Sequence, residues 1–228
     1  RVCVCVCVCV RVRYLSVSLS LLTLCHWHSG EPGVTNRFIS SFWYADALGL
    51  LATLNHTGFC RQTLVGGNYG LLNRTTREPN ADFFMAQMFH DNMGEQVLNL
   101  SASEHSAGLR TYAHCQDGGS GAATLLLINV SPTVTFEASL PAELGAAPGT
   151  AAGIQVFEFG VGDGTKPGWL GLDSQHITLN GELLHSDKSQ PGTLPKISPR
   201  PLDGTTLTIK PLTISFITVP RAQACSGV

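Results

Sequence analysis

The chain has 228 residues and a net charge of -2, with 13% charged and 43% hydrophobic residues. The charged share is roughly half that of ordinary soluble domains, and a field this weak excludes function by electrostatic attraction to nucleic acid or an anionic membrane. The length suffices for one or two domains with a substantial core, and 24 Gly with 12 Pro favour turn-rich β structure over a helical bundle.

Residues 1–28 differ from the rest. RVCVCVCVCVRVR is followed by YLSVSLSLLTL. Alternating Val-Cys is what a GT dinucleotide repeat encodes, and alternating Leu-Ser is what a CT repeat encodes, so this stretch is expected to be translated non-coding sequence. Two alternatives stay open. Arg11 and Arg13 before an apolar run imitate a signal peptide, and the whole stretch could be scored as a membrane span, although the arginines leave each half short of the ~20 residues required. Cys25, His26 and His28 lack a second spaced pair, so no zinc site is expected there.

From residue 29 to 96 the pattern is helix, strand, loop, helix. Thr35 or Asn36 can cap a helix carrying Phe38, Ile39, Phe42, Trp43, Ala45, Ala47 and Leu50 at helical spacing, ending between Gly49 and Gly58. Residues 59–65 alternate as a strand that opens into Gly66-Gly67. Asn80 can cap a second helix with Phe83, Phe84, Met88, Phe89 and Met93, stopped by Gly94. This cadence suits the end of a TIM-type α/β barrel, whose functional loops follow strands.

From 97 to 228 short apolar runs recur between turn signals, at 109–115, 123–130, 134–140, 154–159, 177–179, 182–184, 206–209 and 212–219. Asn180-Gly181 is a two-residue hairpin signal, and 160–171 reads as a glycine-rich loop. The fold class expected is therefore an α/β fragment followed by an all-β antiparallel sandwich.

Sequons at Asn55, Asn73, Asn99 and Asn129, the last weakened by Pro132, point to N-glycosylation in the secretory pathway. The product is then extracellular, lysosomal or vacuolar, with membrane association left open. Glycoside hydrolysis needs two carboxyl groups. Glu31, Asp46, Asp82, Asp91, Glu95 and Glu158 all read as solvated faces, turns or strand positions, so no catalytic residue is assigned, and no cofactor or metal is expected. The segment CRQTLVGGNYGL does offer sugar-binding chemistry. Its glycines let backbone approach a ligand. Tyr69 offers a flat face and a hydroxyl, while Gln62 and Asn68 offer donors and acceptors; a tight turn around a packed tyrosine is the plainer alternative.

At this segment the chain resembles the plant heparanase-like proteins of glycoside hydrolase family 79. The resemblance rests on GVTNRFISSFWYADALGLLATLNHTGFCRQTLVGGNYGL at 33–71, LLNRTTREPNADFF, LRTYAHC, TLLLINVS, ITLNGELL and LTISFITVP with Cys225. It implies the end of a (β/α)8 barrel with a C-terminal β-sandwich, and retaining hydrolysis of β-glucuronides, with glucuronic-acid-containing glycans or glucuronide conjugates as partners. It implies that Gln62, Gly67, Asn68 and Tyr69 bind substrate and that Cys115 pairs with Cys225, leaving Cys60 as a buried thiol. It also implies a nucleophilic glutamate shortly before Ser29-Gly30, yet positions 20–28 contain no acid. Glu31 follows the match and is not that residue. The acid/base glutamate would lie further upstream still, so this chain alone is expected to be inactive, with a non-catalytic glycan-binding or structural module as the alternative.

Overall fold

The computed structural model describes residues 7–11, 30–56, 58–100, 107–140, 144, 153–184 and 193–226. The Cys25, His26 and His28 group lies outside them. They form two compact units. The first comprises Arg1–Phe89, Val161–Ile177 and Leu183–Lys196, and the second His90–Gly160, Thr178–Glu182 and Ile197–Val228. The glycine-rich segment 161–177, expected among the C-terminal strands, thus packs with the N-terminal elements.

In the first unit, strand β1 (Cys7–Arg11) pairs antiparallel with β2 (Gly58–Gln62), and helices α1 (Phe38–Thr53) and α2 (Ala81–Asn92) flank β2 in sequence. Helix α1 buries Phe38, Ser41, Tyr44, Ala45, Leu48 and Ala52 along one face, so of the apolar residues singled out from the sequence only Phe38 and Ala45 lie inside. Its other side leaves Trp43, Leu50 and Leu54 exposed. The C-terminus closes as a Schellman turn, with Asn55 at φ 62 and the His56 N–H donating to the Leu51 carbonyl.

The expected caps are corrected. Arg37 occupies the α1 cap without a side-chain bond. The Phe38 and Ile39 N–H groups instead donate to the Ser174 and Leu172 carbonyls at 2.9 and 3.0 Å. The glycine-rich segment therefore satisfies orphan donors that a local side chain would otherwise meet. Thr35 and Asn36 turn elsewhere. Asn80 is likewise drawn away, its amide donating to the Gly70 carbonyl at 2.7 Å.

The second unit is built on an antiparallel sheet. Its strands are β3 (Val97–Leu98), β4 (Leu109–Cys115), β5 (Ala123–Asn129), β7 (Gln155–Gly160), β8 (Ile177–Leu179), β9 (Glu182–Leu184), β10 (Arg200–Pro201) and β12 (Thr213–Val219). The order is β3-β4-β5-β12-β7-β8-β9, with β10 also on β7. A separate ribbon pairs β6 (Phe136–Ser139) with β11 (Thr206–Ile209). Leu207 and Ile209 of the ribbon join Leu125, Leu127, Val156 and Ile217 of the large sheet in one apolar cluster. Almost every residue of β5 and β12 is buried, so both faces of these strands are covered. The Asn180-Gly181 turn between β8 and β9 takes positive φ at both residues, 53 and 91, as a type I′ hairpin requires.

Cys115 and Cys225 are joined by a disulfide across a sequence separation of 110. In the chain-entropy model such a loop stabilises by about 4–5 kcal/mol. Cys60 is not a thiol: it too is disulfide-bonded.

Two acids expected to be solvated are not. Glu158 is 5% exposed and accepts from Lys210 Nζ at 2.7 Å, with Arg200 at 3.9 Å. Asp82 is 3% exposed and ion-paired. Asn129, expected to carry a glycan, is wholly buried. Its Nδ2 donates to the carbonyls of Val134, Ile209 and Lys210 at 2.8–3.2 Å, which commits the amide to the fold. Among the described residues no helix is long and apolar enough to cross a membrane, and no group of His, Cys, Asp and Glu could hold a metal ion.

Candidate functional site

Strand β2 ends at Gln62 and opens into the loop 63–72. The Leu71 and Leu72 N–H groups donate to the Thr63 and Leu64 carbonyls at 3.0 and 2.8 Å, closing the loop at its base. Gly66 and Gly67 stand at φ 129 and 59, where a side chain would be strained. A Cβ at Gly70 would come within 3.0 Å of the Gly66 and Leu72 carbonyl oxygens, so this position must also stay bare.

The loop is braced from two sides. On one, Thr35 Oγ1 donates to the Asn68 carbonyl at 2.6 Å and Asn68 Nδ2 donates to the Gly30 carbonyl at 3.1 Å. Gly30 lies so close to the Tyr69 ring that a side chain there would collide with it. On the other, Arg61 Nη2 donates to the Tyr69 carbonyl at 3.2 Å and forms an ion pair with Asp82. Ser41 and Ser40 Oγ donate to the two Asp82 carboxylate oxygens at 2.7 and 3.0 Å. The guanidinium lies 4.7 Å from the Tyr44 ring centre and 5.5 Å from that of Trp43, in cation–π contact. Burial pushes the Tyr44 phenol well above its ordinary value, with Arg61 opposing the rise and Asp82 adding to it.

Gly67, Asn68 and Tyr69 thus share one rigid loop, with Gln62 at its foot. All four are half-buried. Arg61, in the same CRQTLVGGNYGL segment, turns inward as support for the loop. The structure also gives Asn68 a bracing role, because its amide nitrogen already has the Gly30 carbonyl. Thr35, Asn80 and the Arg61–Asp82 pair were missed as parts of the site. The one sequence signal for the pair is an arginine that shares a strand face with the apolar Phe59, followed by an acid in the first turn of the next helix.

A second polar cluster joins segment 161–177 to the end of the 63–80 connection. His176 Nδ1 lies 2.6 Å from Asp163 Oδ2, and its Nε2 lies 3.6 Å from Glu78 Oε2. Burial works against the charge on Asp163. Hydrogen bonds from the His176 ring and from the His176 and Gln175 N–H groups outweigh it and hold the carboxyl below its usual range.

No protein-family model matches the chain. It is 36% identical to heparanase-like protein 1 of Arabidopsis thaliana over 88% of its own length and 40% of that protein's. It is 35% identical to a baicalin-β-D-glucuronidase of Scutellaria baicalensis, over 85% of this chain and 34% of the relative. The chain therefore spans less than half the length of these relatives. Among solved structures, an arabinofuranosidase superposes with a TM-score of 0.52 at 11% identity, over 80% of this chain and 38% of the other. That likeness bears on fold alone.

Proposed function

Because this chain matches the C-terminal portion of plant heparanase-like proteins, we propose that its first unit is the end of their catalytic barrel and carries part of a cleft for a β-linked glucuronic acid. The second unit is then their accessory β-sandwich. In this reading Gly67 and Tyr69 meet the uronate, through backbone and phenol hydroxyl, and Gln62 meets the sugar from the strand end. Asn68 keeps the loop in shape through its bond to Gly30.

The observation that carries the reading is the bracing of the 66–70 loop from both sides by Thr35 and Arg61. A sugar loop held before the ligand arrives loses less entropy on binding. The exposed Trp43, Leu50 and Leu54 of α1 fit the same reading, since a barrel helix presents such residues to its neighbours. Retaining hydrolysis needs two carboxyl groups about 5–5.5 Å apart. Here Asp82, Asp163 and Asp173 are committed to Arg61, His176 and backbone N–H groups. The chain supplies binding, and the carboxylates that cleave come from the rest of the enzyme. Asn55, Asn73 and Asn99 remain the proposed glycan carriers in the secretory pathway.

Saturation-transfer NMR with methyl β-D-glucuronide tests the binding claim on the 228-residue chain. We expect transfer from the protein to the sugar, and a roughly tenfold weaker affinity in Tyr69→Ala, about 1.4 kcal/mol. No transfer in the parent chain, or an unchanged affinity in the variant, defeats the proposal. Incubation with a chromogenic glucuronide is expected to give no product, and turnover would show that the chain carries its own carboxylate pair.

A further inference from the structure

Asn129, the last residue of β5, has its whole side chain committed to the fold. Its two amide N–H groups serve three carbonyls, Val134 at 2.8 Å, Ile209 at 3.2 Å and Lys210 at 2.9 Å, and its Oδ1 accepts from the Ser131 N–H at 2.9 Å. The amide thereby ties the end of β5 to the end of β11 and to the turn that leads into β12. Ser131 is committed as well. Its Oγ accepts from the Thr133 and Val134 N–H groups at 3.3 and 2.9 Å, and its carbonyl accepts from the Leu212 N–H at 3.2 Å. Replacing Asn129 would leave buried carbonyls unpaired, and replacing Ser131 would open the turn that brings Val134 to the amide.

These two residues, with Val130 between them, spell Asn-x-Ser, the acceptor motif for N-glycosylation. The atom that would take the oligosaccharide is Nδ2, the same nitrogen that meets the three carbonyls. Burial in the finished fold does not resolve this conflict. The Ile209 and Lys210 carbonyls lie 80 and 81 residues further along the chain, and a transferase that acts on the growing chain meets Asn129 before either has been made. A glycan attached then would leave Nδ2 with a single N–H for its three carbonyls. It would also place a bulky polar group where the amide is wholly enclosed.

Protection must therefore be local, and the residue after the sequon is Pro132. Proline fixes its own φ, has no N–H and confines the preceding residue to extended backbone. A sequon is read with its asparagine amide and its hydroxyl presented together, and a serine ahead of proline is hindered from turning its hydroxyl back. In the folded unit Pro132 is exposed, and the bonds of this corner run between Asn129, Ser131, Thr133 and Val134 around it. The sequons at Asn55, Asn73 and Asn99 continue instead into Gly58, Thr76 and Ala102. Of the four asparagines only Asn129 is buried, and only its sequon is followed by proline. We infer that Pro132 is a guard against modification: it keeps an N-glycan off Asn129 during synthesis, so that the amide is still free when Ile209 and Lys210 arrive. This rests on the secretory-pathway reading of the chain.

Translocation of the full 228-residue chain into rough microsomes, carried by a cleavable signal peptide, tests the guard. Deglycosylation in heavy-oxygen water then marks each modified asparagine by mass. In the parent chain Asn73 should carry a glycan and Asn129 should not. Pro132→Ala should gain a glycan on Asn129 in most chains, and those chains should lose the protease resistance of the second unit. The same variant made in bacteria, without the transferase, should resist protease as the parent does. A glycan on Asn129 of the parent, a bare Asn129 in the variant, or modified chains that still resist protease overturns the inference, as does a bacterial variant that no longer folds. If Asn73 stays bare while Asn129 of the variant is modified, Asn73 falls as a glycan carrier and the guard stands. If Asn73 is modified and Asn129 of the variant is not, the guard falls and the carrier stands.

Discussion

Arg61 holds three parts of the first unit at once: the Tyr69 carbonyl, the Asp82 carboxylate at the start of α2 and the aromatic rings on α1. At 5% and 3% exposure, neither ion can fall back on water if its partner is removed. Asp82→Asn should therefore cost about 3–5 kcal/mol, read as a lowered urea midpoint followed by tryptophan fluorescence. Replacing both residues with apolar side chains of similar volume should cost much less, because no orphan charge remains. A loss in Asp82→Asn below about 1 kcal/mol would place the pair at the level of a surface salt bridge and remove it as the loop's support.

At the scale of elements, β4 carries a pH-sensitive residue into the interior. His114 is fully buried and its Nδ1 lies 2.7 Å from the Gly94 carbonyl. Burial disfavours the imidazolium and lowers its pKa from 6.5, with the Gly94 bond and Asp117 opposing. Below pH 6.5 the unfolded chain takes up a proton that the folded chain refuses. The stability that His114 contributes is thus complete above that value and lost as pH falls through the folded pKa. Thermal melts of the parent should decline over that window, and His114→Gln should flatten the decline. A decline that persists in the variant would assign it to other groups.

Elements also differ in how far they could be read from the chain. The long strands of the second unit were legible because 123–130 is mostly apolar and 212–219 intersperses large apolar residues with Thr and Ser, both rich in strand formers. Val97–Leu98 and Arg200–Pro201 are too short for any period to register. The caps failed for a different reason. Thr35 and Asn80 are sound N-cap residues by type, but each finds its partner in the 63–72 loop. The groups that do meet the start of α1 come from Leu172 and Ser174, more than a hundred residues away, and no local pattern announces them. The 63–72 loop was legible to the same depth: Gly67, Asn68 and Tyr69 stood out by composition, whereas the groups that brace them lie elsewhere in the chain.

For the molecule as a whole, the position of β12 sets the order of assembly. This last strand lies between β5 and β7, pairing Phe216 with Leu126 on one side and with Phe157 on the other. Until it arrives, both neighbours present unpaired edges rich in apolar residues. A chain still on the ribosome cannot complete the sheet before residues 213–219 have cleared the exit tunnel, so closure of the second unit waits for the synthesis of β12. Chains stopped at residue 212 should stay protease-sensitive and aggregate, while chains ending just beyond Cys225 should resist; equal resistance in both would show that the sheet closes without its central strand. A frameshift just ahead of residue 213 would thus be as damaging to this unit as one in its middle.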